Sequence, residues 1–181
     1  SMDTLDTYTS LKYLRGDDDI RRIYSDGYKS LKKACKELRI MHGKSQPGIH
    51  QTNSRIERTN SDILAGTRVS LVGVGLPACF WPFGSPCYCH LENIASDDDT
   101  GESSWYLRHG SHFKGKAIPV GCGVYFMPAP TKYDVSKAAP RLQFGVFFGY
   151  RLAPGGLWND EYLVCDLDDF VAMDLAQDTP G

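Results

Sequence analysis

The chain has 181 residues, with 20 Lys and Arg against 22 Asp and Glu, a formal net charge of −2, and 41 % hydrophobic and 23 % charged residues. This is a globular composition on a length suited to one medium domain or two small ones, and it excludes wholesale disorder. The absence of a run of about 18 apolar residues and of a basic-then-apolar leader, with only six cysteines, argues against a membrane span and a secreted disulfide scaffold.

Leu5, Tyr8, Leu11 and Leu14 recur at a spacing of three, which predicts a helix over Thr4–Leu14 that Gly16 and Asp17–Asp19 break. Ile20–Tyr24 reads as a strand running into a turn at Ser25-Asp26-Gly27. In Tyr28–Leu38 the apolar Leu31, Ala34, Cys35 and Leu38 fall on one helical face and lysines on the other. Arg39–His42 is a second short strand, and Gly43–His50 a loop. A helix starts near Asn53 or Ser54, keeps an apolar face through Ile56, Ile63, Leu64 and Leu71, and ends at Gly75 with Pro77 beyond it. Cys79–Asn93 reads as a further helix.

Asp97–Asp99 with Glu102 mark an acidic stretch, so residues 95–115 are expected to be a polar linker in which His109 and His112 are solvated. The aromatic and β-branched runs Val120–Met127, Gln143–Tyr150 and Glu161–Asp166 are separated by Pro128-Ala129-Pro130 and Pro154-Gly155-Gly156. They predict a small antiparallel β unit over 116–172, before an acidic tail at 173–181. The fold class is therefore α/β at the front, residues 1–94, and β at the back.

The near-neutral total hides an uneven distribution. Tyr28–Arg68 holds nine basic residues (among them Lys29, Lys32, Lys33, Lys36, Lys44, Arg55 and Arg58) and three acids, a segment of +6 in a chain whose remainder carries −8. Lysines on one helix face are most simply solvated, yet a +6 segment suits contact with nucleic-acid phosphates.

Two carboxylates stand out by position. Asp26 falls at the C-terminal end of a strand, where α/β folds expose functional groups. Glu57 sits in the first turn of the following basic helix. Carboxylates converging from such elements hold Mg²⁺, and paired ions stabilise in-line phosphoryl displacement. Each also has a structural explanation: Asp26 opens a turn before Gly27, and Ser54-Arg55-Ile56-Glu57 has the form of a capping box. Cys87-Tyr88-Cys89-His90 suggests zinc, but no second Cys/His pair follows, so no zinc is expected and packing is the simpler role. Cys35, Cys122 and Cys165 read as core residues. No P-loop or dinucleotide glycine fingerprint is present.

In chain order, Ile23-Tyr24-Ser25-Asp26 and Thr52-Asn53-Ser54-Arg55-Ile56-Glu57-Arg58 are followed by Gly75-Leu76-Pro77 and Phe80-Trp81-Pro82, then by Gly121-Cys122-Gly123-Val124-Tyr125 and Gly145-Val146-Phe147-Phe148-Gly149-Tyr150. Together they resemble the integrase region of copia-type LTR-retrotransposon polyproteins, in a protist-type copy. The resemblance spans about Leu5 to Phe170.

It implies the C-terminal part of an RNase H-like integrase core followed by a small antiparallel β domain, acting in DNA integration by Mg²⁺-dependent strand transfer, with Mn²⁺ as a substitute. It matches Asp26 to the second catalytic and metal-binding Asp, and Glu57, 31 residues on, to the catalytic Glu. The surrounding Lys29, Lys32, Lys33, Lys36, Lys44, Arg55 and Arg58 would contact DNA, both element ends and target, in the nucleus, from a homo-oligomer. The family's motif glycine is Ser54 here, and the Asn after the second Asp is Gly27. The first Asp of the triad has no counterpart, so the chain is expected to be inactive alone. Two other readings are a non-catalytic nucleic-acid-binding or scaffolding protein using the basic segment, and a protein-interaction module built on the aromatic β region.

Overall fold

A computed structural model describes residues 4–25, 27–44, 54–97, 99–128 and 141–172. By compactness they divide into two units, residues 1–61 with 152–159, and residues 62–151 with 160–181. The boundary falls inside a helix, and the 95–115 stretch lies within the second unit.

The first unit is built around a βαβ arrangement. Helix α1 (Thr4–Arg15) is followed by strand β1 (Arg22–Ser25), helix α2 (Lys29–Glu37) and strand β2 (Met41–Lys44). Strands β1 and β2 pair in parallel, Arg22 opposite Met41 through Ser25 opposite Lys44. Lys44, expected in a loop, thus ends β2. Leu11, Ala34, Cys35 and Ile40 form the buried core, with Tyr8, Ile20, Ile23, Leu31 and Leu38 packed against it. Tyr8 and Leu11 share one face of α1, and Leu31, Ala34, Cys35 and Leu38 one face of α2, while Ile23 comes from β1 and Ile20 and Ile40 from the residues just before the two strands.

Helix α2 ends at Leu38, and Arg39 then turns through a left-handed backbone (φ 58°) so that the Ile40 amide reaches the Cys35 carbonyl at 2.8 Å. Glycine is the usual occupant of such a position. Two of the contacts that join segment 152–159 to this unit are specific. The Tyr13 hydroxyl donates to the Leu152 carbonyl, and Gly16 lies so near Gly155 that a Cβ on it would sit 2.6 Å from backbone atoms. Gly155 and Gly156 both take positive φ, 78° and 73°, in the turn read from the sequence.

Helix α3 (Ser54–Gly73) crosses into the second unit. The residues that lead into Ser54 lie outside the described residues. Leu76 closes its end by donating to the Leu71 carbonyl at 2.9 Å, after Gly75 at φ 73°. A short 3₁₀ turn (Ala78–Phe80) leads into α4 (Trp81–Ile94). Gly84 allows α4 to approach α3, since a Cβ there would lie 2.9 Å from Leu71 and 3.3 Å from Thr67.

The expected linker is more ordered than its charge suggested. Asp97 Oδ1 accepts from the amides of Asp99 and Thr100 at 2.9 and 3.0 Å, and these bonds hold its carboxyl below the usual range. Helix α5 (Ser104–His109) follows, capped by Ser103, whose hydroxyl accepts from the Tyr106 amide at 3.1 Å. His109, expected in solvent, is half-buried against Trp105 with ring centroids 4.2 Å apart, whereas His112 is exposed, its ring stacked on Tyr106 at 4.6 Å.

Strands β3 (Gly123–Phe126), β4 (Gln143–Leu152) and β5 (Trp158–Asp166) form an antiparallel sheet in the order β3-β4-β5, before α6 (Leu167–Val171). Gly121 donates to the Phe147 carbonyl at 2.7 Å while Phe147 donates to the Cys122 carbonyl at 2.9 Å. Two residues thus oppose one, a bulge that Gly121 permits at φ 82°. Phe147 is fully buried in the sheet, and Phe148 stacks on Phe80 at 5.2 Å. Cys35 and Cys87 are buried as core residues; Cys122 and Cys165 are only half-buried, at the bulge and the end of β5. No helix among the described residues is long and apolar enough to cross a membrane.

Candidate nucleic-acid interface

Helix α2 supplies the most concentrated charge. Lys29, Lys32, Lys33 and Lys36 fall within an arc of roughly 100° and over roughly 10 Å of helix axis, from 3.6 residues per turn and 1.5 Å per residue. The opposite arc, with Ala34 and Cys35, is buried against α1 and the strands. Burial of that arc fixes the rotation of the helix, so all four lysines are turned to solvent, where they line a shallow groove of about 350 Å³ with Thr4 and Ser30. None forms an ion pair with a described residue. Four ammonium groups, none paired with a described acid, make a surface that attracts a polyanion.

The remaining basic residues are placed individually. Lys44 is exposed at the end of β2, in register with Ser25, and Arg55 and Arg58 are exposed in the first two turns of α3. Arg55 is followed one turn on by Thr59, whose hydroxyl donates to its carbonyl at 3.0 Å.

Glu57 is solvent-exposed in the first turn of α3. Asp26 lies outside the described residues. Among the described residues no group of three or more His, Cys, Asp or Glu is close enough to hold a metal ion.

One contact at this end of the strands had no signal in the sequence. Ser25 Oγ, at the C-terminal end of β1, and His42 Nε2, the second residue of β2, share a hydrogen bond at 2.8 Å. It ties the end of β1, where functional groups are displayed in parallel sheets, to its partner strand. Only the pairing register brings residues 17 apart within reach.

Cys87-Tyr88-Cys89-His90 is a packing element of α4. Burial pushes the Cys87 thiol up to about 11. His90 is 3 % exposed and enclosed by the rings of Trp105, Phe113 and Tyr150, at 5.5, 5.0 and 4.1 Å.

No family model matches this sequence, and no curated protein matches it. Among solved structures, the chain is similar to one in the cryo-electron microscopy structure of the simian T-cell lymphotropic virus intasome in complex with the PP2A regulatory subunit B56 gamma. The identity is 14 % and the TM-score 0.49, over 81 % of this chain and 58 % of that one. The likeness is too slight to assign a fold or a function, and this chain spans less than two thirds of that neighbour.

Proposed function

We propose that this chain is the DNA-contacting part of an integrase-like strand transferase, and that by itself it binds DNA without cutting it. The observation that carries the binding reading is the lysine face of α2: four exposed ammonium groups in one groove, none paired with a described acid. Phosphate contacts of this kind position a duplex without reading its bases. Replacing Lys29, Lys32, Lys33 and Lys36 with Gln should reduce affinity for a duplex of arbitrary sequence at least tenfold in a fluorescence anisotropy titration. Unchanged affinity in a folded variant would remove the reading.

The integrase-like part rests on the ordered motifs from Ile23 to Tyr150 and is supported by the parallel β1–β2 pair, whose C-terminal end directly precedes Asp26 in sequence. In this reading the core is RNase H-like, and Asp26 and Glu57 are two of three carboxylates for Mg²⁺ or Mn²⁺. The third comes from a strand that precedes them. Extending the chain with such an Asp-bearing strand should produce Mg²⁺-dependent cleavage of element-end DNA that Glu57→Gln abolishes. An extended, folded and inactive protein would leave only the DNA-binding reading.

A further inference from the structure

We propose that Ser30 is a phosphorylation site, modified by a kinase selective for basic sequences, and that its phosphate turns down DNA binding by the α2 lysine row. The inference rests on the DNA-binding reading of that row. Ser30 is the second residue of α2 and lines the same groove of about 350 Å³ as Lys29, Lys32, Lys33 and Lys36. Lys33 lies three residues on, a neighbour of Ser30 on the helix surface. A phosphoserine carries about −2, so the four positive charges of the row would fall to about +2.

This hydroxyl is accessible and carries the right flanks. Ser30 is half-buried rather than enclosed, and its Oγ makes no hydrogen bond to a described residue. Lys29, Lys32 and Lys33 stand at −1, +2 and +3 from it, a charge pattern that suits carboxylates in the substrate cleft of a kinase. Thr4, the other hydroxyl in the groove, stands between Asp3 and Asp6 instead.

The group transferred is the γ-phosphoryl of ATP. The bond from γ-phosphorus to its bridging oxygen breaks, ADP leaves with that oxygen, the P–Oγ bond forms, and the hydroxyl proton passes to a base of the kinase. The added charge lies in the first turn of α2, which no side chain caps at Tyr28. A phosphate there faces the positive end of the helix dipole, so α2 keeps its helix and loses part of its attraction for a polyanion.

The test treats the full chain with ATP and the catalytic fragment of protein kinase C, a kinase that selects basic flanks, and maps the phosphate by tandem mass spectrometry. The same chain with phosphoserine encoded at position 30 supplies uniform product for anisotropy titrations with duplex DNA. The kinase should place phosphate on Ser30. The phosphorylated chain should bind about tenfold more weakly, and its logarithmic salt slope should move from roughly −3.6 to roughly −1.8. Helical circular dichroism should be unchanged, and a phosphatase should restore the affinity. Phosphate absent from Ser30, or on Thr4 or Ser10 in its place, would overturn the proposal, as would loss of helix on phosphorylation. Equal affinity and slope before and after phosphorylation would remove this inference alone. An unmodified chain that does not bind DNA would remove the DNA-binding reading and this inference with it.

Discussion

Three buried polar atoms in the second unit have no hydrogen-bond partner among the described residues, Thr67 Oγ1, His90 Nε2 and Gln143 Oε1, and the first two each make a residue-scale prediction. Thr67 is fully buried on the face of α3 that meets Gly84. A buried hydroxyl without a partner loses its hydration for nothing. Thr67→Val keeps the shape and removes that loss, so it should raise the unfolding free energy in urea by about 1 kcal/mol. His90 is enclosed by aromatic rings, and burial lowers its pKa from 6.5 to about 4. The folded state then binds fewer protons than the unfolded state between those values. Stability is fully present above pH 6.5 and falls as the pH drops toward 4, by an amount on the order of 3 kcal/mol. His90→Phe should flatten this dependence in urea titrations from pH 7 to pH 4; an unchanged slope would show that other groups cause it. The identities of both residues were legible in the sequence, but their burial was not. For Cys87-Tyr88-Cys89-His90 the sequence offers packing as the simpler role but not the partners, Trp105, Phe113 and Tyr150, whose rings enclose His90.

At the scale of elements, local periodicity carried most of the information. α1, α2 and α3 lie where their apolar spacing places them, and α2 buries its apolar face, but Leu5 and Leu14 of α1 and Ile56 and Leu64 of α3 are exposed, with Leu11 and Leu71 the buried members of those rows. Segment 95–115 shows where that logic stops. Its acids suggested solvation, yet Asp97 accepts two backbone amides and Ser103 caps α5, so short-range hydrogen bonds order a stretch whose composition reads as linker. That β3 pairs only with β4 among the described residues was equally hidden, because an alternating strand pattern reveals which faces are buried but not which strand ends the sheet. The end of α2 offers a direct test of element geometry. Arg39 occupies a left-handed conformation that glycine adopts without steric cost. Arg39→Gly should therefore raise stability by about 1 kcal/mol in denaturant unfolding, despite the added freedom of the unfolded chain. A loss of stability would mean that the arginine side chain contributes more than its backbone costs.

For the whole molecule, the decisive quantity is the distribution of charge rather than its total. A net charge of −2 argues against a nucleic-acid partner only if it is spread evenly. The +6 of Tyr28–Arg68 was visible from sequence alone, and burial of Ala34 and Cys35 turned four of its lysines into one exposed row. The make-up of the first unit was not visible. Residues 152–159 belong to it through Tyr13 with Leu152, 139 positions apart, and no local pattern reports such a contact.

The salt dependence of DNA binding tests the central claim most directly. Neutralising four phosphates releases their counterions, so the logarithm of the association constant for duplex DNA should fall against the logarithm of salt concentration with a slope of roughly −3.6. The variant with all four α2 lysines changed to Gln should have a slope near zero. Binding with no salt dependence in the natural chain, or an equally steep slope in the variant, would contradict the assignment of α2 as the DNA-contacting face.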